Sequence, residues 1–416
     1  MKRIHAPLAL LPALLLAACA STDEPEIEGP SVDADPEPIS VPALLDEAWQ
    51  LTVAVEGDVR INGVACGELD ADAPGDEIVT VDQRGQIRMF RLALGDFVEM
   101  KVGALQAYGD EVETQGMTDA PTGELVQVIC ADIVPRVAGD EIIAVGVLEG
   151  GEDDGGRGLV RVLVRSGPDR AWREYRHVTP ALVHAVAAGE IVPSKPGIEF
   201  LVAGFWGEAE IGSVSTIPGD IRVTYDRAAL THSGNAKGAC VIENGLVLAC
   251  DDGHLVEYRR AERTGPLALY DDYDLEAPLA RIAPFPEGGV VVCDNDGFFR
   301  HVRRDPERRV SQSTMLARSD NRFRGAVVGD FDPGEQPFEA ATAGYDGTIR
   351  LVSFIPTEGD PSIDWIGQRY ATSESLLARD TAKIHHLTSG RFDGMGLCLV
   401  SCGYSGDVLV LSRTGQ

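Results

Sequence analysis

The amino-acid sequence predicts an all-β fold, a seven-bladed β-propeller, and three observations carry that reading. One phrase is rewritten along the chain: a small turn, an acidic loop, an apolar run, an Asp-Gly-like turn and an alternating strand. It reads "GELDADAPGDEIVTVDQRGQIRMF" from Gly67, "GDFDPGEQPFEAATAGYDGTIRLV" from Gly329 and "GRFDGMGLCLVSCGYSGDVLVL" from Gly390. The phrases recur at a period of about 40–60 residues, that of propellers and related arrays, and long helical periods are nearly absent.

The first residues stand apart from this pattern. Lys2 and Arg3 precede an apolar run over residues 4–18, closed by "LAAC" at Cys19. A charged start, a run too short to span a bilayer and small residues before the cut describe an export signal. The stretch resembles a bacterial lipoprotein lipobox. The resemblance implies cleavage after residue 18, a lipidated Cys19 and, because Ala20 rather than Asp follows, the outer membrane. The lipid would then be the only membrane contact, at the bacterial cell envelope.

Residues 19–47 read as a disordered acidic tether. Five prolines and many carboxylates lie between residues 20 and 42, and no Lys or Arg appears between Arg3 and Arg60. Such a segment buries too little to offset chain entropy, and its charges extend it.

Residues 48–416 are long for a single core. A repeat array escapes that limit, because each unit packs only on its neighbours. Four further units complete a set of seven: "ADIVPRVAGDEIIAVGV" from Ala131, "GEIVPSKPGIEFLVAGF" from Gly189, "ACVIENGLVLACDDGHLVEY" from Ala239 and "IAPFPEGGVVVCDNDGFFRHV" from Ile282. In the last two a tight Gly turn replaces the acidic loop. Within a unit, a first strand of small residues ("NGVACG", "HAVAAG", "RGAVVG") suits a crowded axis. A second strand ("EIVTV", "EIIAV", "EFLVA") is almost wholly apolar, and a third ("QIRMFRL", "TIRLVSF") alternates. The turn before the third is Asp-Gly at Asp252, Asp296 and Asp346, a hairpin signal. That order of strands builds a wedge, and seven wedges build the propeller.

The units resemble FG-GAP (VCBS-like) repeats, as in integrin α-chain propellers and bacterial surface proteins. The resemblance implies calcium in acidic loops of the form D-x-D-x-D-G-x-x-D, where carboxylates supply the oxygens the ion needs. Asp70, Asp72 and Asp76 in the first unit, and Asp330, Asp332 and Glu335 in the sixth, are the candidate ligands, although both loops lack the central Asp-Gly. The plain alternative is that these carboxylates shape turns and cap backbone amides.

A second constellation emerges when the units are stacked. Five residues before the end of the first strand stand Asn62, Val126, His184, Arg324 and His385, with Lys237 and Arg281 at the matching place in the two compact units. Arg60, Arg322 and Lys383 lie two residues earlier. In a chain of net charge −30, with 66 acidic and 36 basic residues, cations thus recur at the entrance of the innermost strand. The turn between second and third strands returns to the same face with Phe205, Trp206, Tyr345 and Tyr404. Charge-assisted hydrogen bonds and ring stacking suit an anionic, flat-faced ligand such as an acidic glycan, or a partner protein. The alternative is that these cations merely snorkel to solvent. The acidic balance argues against nucleic acid.

No catalytic motif is present: no G-x-S-x-G, no H-E-x-x-H and no sialidase-type S-x-D-x-G-x-T-W. The expected function is therefore non-enzymatic binding or scaffolding. A polysaccharide lyase or hydrolase is the alternative, with Asp251, Asp252, Asp294 and Asp296 as its first suspects. Eight cysteines less Cys19 leave seven, none in C-x-x-C, and they read mainly as small buried hydrophobes.

Overall fold

The computed structural model describes residues 41–100, 106–109, 123–134, 137–148, 156–166, 171–192, 197–217, 220–228, 230–262, 265–305, 310–332, 338–356 and 370–415. The export signal, Cys19, most of the tether and Glu335 lie outside the described residues.

Seven sheets form, five of four strands and two of five. Their inner strands are Ile61–Gly67, Leu125–Ala131, Val183–Gly189, Ala236–Ile242, Leu279–Pro284, Phe323–Gly329 and Ile384–Phe392, of blades 1 to 7 in order. Each inner strand packs beside the inner strands of the blades before and after it, and blade 7 returns to blade 1, so the ring is closed. The all-β, seven-bladed propeller predicted from the repeat is the architecture observed. Among the described residues no helix is long and apolar enough to cross a membrane.

Closure comes from a strand the repeat pattern did not reveal. Trp49–Val55 forms the outer strand of blade 7, antiparallel to Val408–Arg413, with Trp49 opposite Arg413 and Leu51 opposite Leu411. Trp49 is buried among Leu351, Leu377, Leu399 and Leu411, and Arg413 lies over its ring. Two short strands extend other blades. Ala43–Leu44, within the stretch read as tether, pairs with Ala378 and Arg379 at the edge of blade 6. Gln106–Gly109 runs parallel to the outer strand of blade 2.

The hydrophobic core is divided into seven clusters, each shared by two consecutive blades. Blade 7 meets blade 1, for example, through Cys398, Val400 and Val410 against Val64, Ile78 and Phe90. A second strand with a neighbour on both faces must be apolar throughout, which is why it does not alternate. The inner strands are small because they nearly touch: a Cβ on Gly325 would come within 2.4 Å of Leu387 Cβ in the next blade. The seven cysteines are free thiols within these strands, five of them buried.

The acidic loops have a structural content of their own. Glu77, Glu141, Glu199 and Glu339 open the second strands of blades 1, 2, 3 and 6 and are 1–2% exposed. Each carboxylate accepts two backbone N–H groups from the loop before it: Leu69 and Asp70, Ile133 and Val134, Ile191 and Val192, Phe331 and Asp332. An amide buried without a partner is costly, so one carboxylate fixes each loop.

Two outcomes are expected. Trp49→Ala should lower the stability of the closed ring by about 3–5 kcal/mol, the usual cost of emptying a buried aromatic site, measured by denaturant unfolding. Burial pushes Glu141 from 4.5 up to about 8, against the opposing pull of the Val134 and Ile133 amides. Its contribution to folding is therefore full below about pH 4.5 and is lost as pH rises through about 8. Glu141→Gln should flatten the pH dependence of stability across that window, whereas Glu141→Ala should cost about 2 kcal/mol or more by orphaning two amides.

Candidate functional site at the channel mouth

Every inner strand carries one irregularity at the same place. Its register against the second strand slips by one residue, between Ile61 and Gly63, Leu125 and Gln127, Val183 and Ala185, Ala236 and Gly238, Leu279 and Arg281, Phe323 and Gly325, and Ile384 and His386. The residue that the register skips is Asn62, Val126, His184, Lys237, Ala280, Arg324 or His385. A bulge re-aims the side chain it carries, and here the bulges lie around one axis. Six of the seven match the positions stacked from sequence. In blade 5 the equivalent is Ala280, with Arg281 one residue further on.

The face beside the bulges is built by a second recurrent bond. The carbonyl two residues before each bulge accepts an amide from the turn between second and third strands. Leu182 O receives Phe205 N at 3.0 Å, Arg322 O receives Tyr345 N at 2.9 Å, and Lys383 O receives Tyr404 N at 2.9 Å. Phe205, Tyr345 and Tyr404 are thus equivalent residues of blades 3, 6 and 7. Asp251 and Asn295 hold the place in blades 4 and 5 through Asn235 O and Pro278 O.

Side chains converge there from most of the ring. Arg60 donates to His385 Nε2 at 3.1 Å and lies 4.3 Å above the Tyr404 ring. The other nitrogen of His385 meets Asn62 O at 2.8 Å. Tyr345 and Tyr404 stand edge to face at 5.8 Å, with Arg324 and Lys383 5.1 and 5.2 Å from the Tyr345 centroid. Across the opening, His184 stacks on Phe205 at 5.2 Å, and Lys237 Nζ lies 4.6 Å over the same ring. Arg281, 7% exposed, donates from Nη1 to Lys237 O at 2.7 Å and Ala280 O at 3.2 Å. Its Nε is buried with no hydrogen-bond partner among the described residues.

Burial, and then the charges of Lys237, Arg281 and Arg324, push His184 well below its ordinary range. His385 is pushed down likewise by burial, Arg60, Arg281 and Arg324. Arg281 itself falls to about 10, through burial and then Arg324. Groups from blades 3 to 7 and the start of blade 1 therefore act on one another across the axis. Carbonyl oxygens accept from Arg281, and aromatic faces lie against Arg60, Lys237, Arg324 and Lys383.

Trp206 completes the face. It is 53% exposed and adopts φ 58°, ψ 28°, a strained conformation for a bulky residue. Its amide donates to Asn235 Oδ1 at 3.1 Å, and Asn235 Nδ2 in turn reaches Asp251 at 3.1 Å. The blade 3–4 border thus holds an indole out towards solvent.

The acidic candidates are placed differently. Asp70 pairs with Arg165 at 3.0 Å, and Asp332 with Arg413 at 2.9 Å. Asp76 accepts the Arg391 amide and donates its own to Arg391 O, both at 2.6 Å, tying blade 1 to blade 7. Asp72 and Asp330 sit in the same two loops, on the exposed side. Among the described residues, groups of three His, Cys, Asp or Glu ligand atoms within 4.8 Å occur only in blade 4, around His232. Asp294 accepts the Asp296 and Phe298 amides and shapes its turn, while Asp251 lies 4.0 Å from Lys237. Sequence reasoning missed the four buried glutamates, although a Glu opening each of those second strands was the visible signal.

Replacing a cation in this ring should be readable at its neighbours. His184 and His385 are expected to protonate only well below the ordinary histidine range, and Arg281→Gln should move both midpoints upward. Histidine-selective NMR titration measures this; unchanged midpoints would mean that Arg281 does not act on the ring.

No protein-family model and no curated protein matches the chain. Among solved structures it is similar to the WD40 β-propeller domain of Doa1, with a TM-score of 0.53 and 12% sequence identity over 88% of this chain and 98% of that one. At that identity the likeness shows the fold, a seven-bladed β-propeller, and leaves function to the site.

Proposed function

We propose that this chain is a non-enzymatic binding propeller that takes an anionic, ring-bearing ligand at its channel mouth, an acidic glycan above all, with an acidic partner surface as the protein equivalent. One observation carries the reading: Arg60, Lys237, Arg281, Arg324, Lys383, His184 and His385 gather on one axis in a protein of net charge −30. Phe205, Tyr345 and Tyr404 interleave them. Arg281 is 7% exposed and its Nε has no hydrogen-bond partner among the described residues, so a ligand carboxylate would meet a buried charge there, and charge-assisted bonds to Arg are the strong kind. Exposed Trp206 offers a flat surface for a sugar ring. The repeats are read as FG-GAP-like, and the lipobox resemblance supports presentation of this face from a lipid anchor at Cys19 of the bacterial envelope.

The test is calorimetric binding of a polyuronate oligosaccharide to the wild type and to an Arg281→Gln, Arg324→Gln double variant. The wild type should bind, increasingly weakly with salt, and the variant at least about tenfold more weakly, since each charge-assisted bond is worth about 1.5–3 kcal/mol. Equal affinity for a neutral oligosaccharide, or no loss in the variant, would defeat the reading. Release of shortened or unsaturated sugar by the wild type would replace it with the enzymatic one.

A further inference from the structure

Blade 4 carries a second constellation on the same disc face, outside the cationic ring. His232 lies in the link that leads into its inner strand, His254 opens its third strand, His254–Arg260, and Asp272 stands near the end of its outer strand, Leu267–Asp274. The antiparallel register sets His254 opposite Asp274 and Val256 opposite Asp272. His254 and Asp272 are therefore diagonal neighbours on one face of the sheet. His254 Nδ1 lies 2.5 Å from Asp272 Oδ1, and His232 Nδ1 3.8 Å from Asp272 Oδ2. The two imidazoles face each other with centroids 5.1 Å apart. One ligand atom from each of the three residues falls within a 4.8 Å group.

We infer that His232, His254 and Asp272 form a binding site for a divalent transition metal of the zinc class, independent of the channel ligand. Two imidazole nitrogens and one carboxylate oxygen are the donors that zinc and its neighbours select, whereas calcium and magnesium prefer oxygen alone.

The support around the three ligands has the form a metal site needs. His232 Nε2 lies 3.0 Å from Asp252 Oδ2. With the proton there, Nδ1 is left as a lone pair aimed at His254 and Asp272, the outer-shell carboxylate arrangement that orients metal-binding histidines. Asp252 also accepts the His254 amide at 3.3 Å, so one carboxylate positions both imidazoles. The His232 backbone is pinned in turn, its amide donating at 3.1 Å to the hydroxyl of fully buried Tyr258. Gly234 clears the space: a Cβ there would stand 2.4 Å from Asp252 Oδ2 and 2.5 Å from His232 Nε2. The side chains of His232, His254 and Asp272 are 14%, 33% and 36% exposed, which leaves room for a fourth, exchangeable ligand such as water. The grouping through the other nitrogen, with Asp252 and Cys250, is less apt, because Cys250 is fully buried in the blade 3–4 core.

The experiment uses the full chain freed of metal by a chelator and titrated with Zn²⁺, by calorimetry and elemental analysis after desalting. Cobalt(II) is added in parallel, and its visible absorption reports nitrogen and oxygen ligation. One tightly held equivalent is expected in the wild type. His254→Gln and Asp272→Asn should each abolish it together with the cobalt band, and Asp252→Asn should weaken it about 10–100-fold without changing the stoichiometry. Both ligand substitutions lie at partly exposed positions, and circular dichroism confirms that the propeller persists. The inference is overturned if the wild type retains no zinc after desalting, or if both ligand variants bind as the wild type does. It also fails if zinc is lost in an Asp70→Asn, Asp72→Asn variant instead.

Discussion

Every blade of this protein is hydrophobic on both faces and can bury neither alone. That constraint governs the rest. It divides the core into seven junctions instead of one centre, and it forces the second strands to be apolar without alternation. It also crowds the inner strands so closely that glycines such as Gly63 and Gly325 have no room for a Cβ. A chain of this length could not sustain a single core of ordinary thickness; a wheel of pairwise contacts removes the difficulty by letting each interface stay small.

The same crowding explains where large and charged side chains go. An inner strand with little lateral room presents a long side chain at its entrance: at the bulge, as His184, Lys237, Arg324 and His385 do, beside it, as Arg281 does, or just before the strand, as Arg60 and Lys383 do. That bulge recurs at the same position of all seven strands. Arginine, lysine and histidine therefore collect near the axis of a chain of net charge −30, beside backbone carbonyls and aromatic faces. The acidic loops do the opposite work at the far end of the same strands, where buried glutamates gather amides into fixed turns.

The wheel was legible in the sequence because its causes are local and repeated. Small residues mark the inner strands, Asp-Gly marks the hairpins, and alternation marks the third strands, so that units hundreds of residues apart could be superposed by eye. Six of the seven bulge residues followed from that superposition. Blade 5 was offset by one residue because both compact units align on their Asp-Gly turns, and the hairpin from Leu279 to Asp294 is one residue longer than that from Ala236 to Cys250. Non-repeated features could not be read in this way. Trp49–Val55 resembles no unit, and its role depends on a partner strand more than 350 residues later. His232, His254 and Asp272 have no common motif spacing and meet only through the pairing of one blade. The loop aspartates are legible as acidic loops, but their ion pairs are not: Asp70 meets Arg165 and Asp332 meets Arg413 across long stretches of sequence.

The borrowed strand of blade 7 has a bearing on how the molecule comes into being. Its two strands lie more than 350 residues apart in sequence, and the Thr414 hydroxyl even reaches back to Ala48 O at 2.8 Å. Joining segments so distant in sequence carries the largest loop-closure entropy in the fold. Six blades can stack in succession on local contacts, yet blade 7 lacks its outer strand until Trp49–Val55 meets Val408–Arg413. The clasp, more than any blade, therefore sets how late the ring can shut.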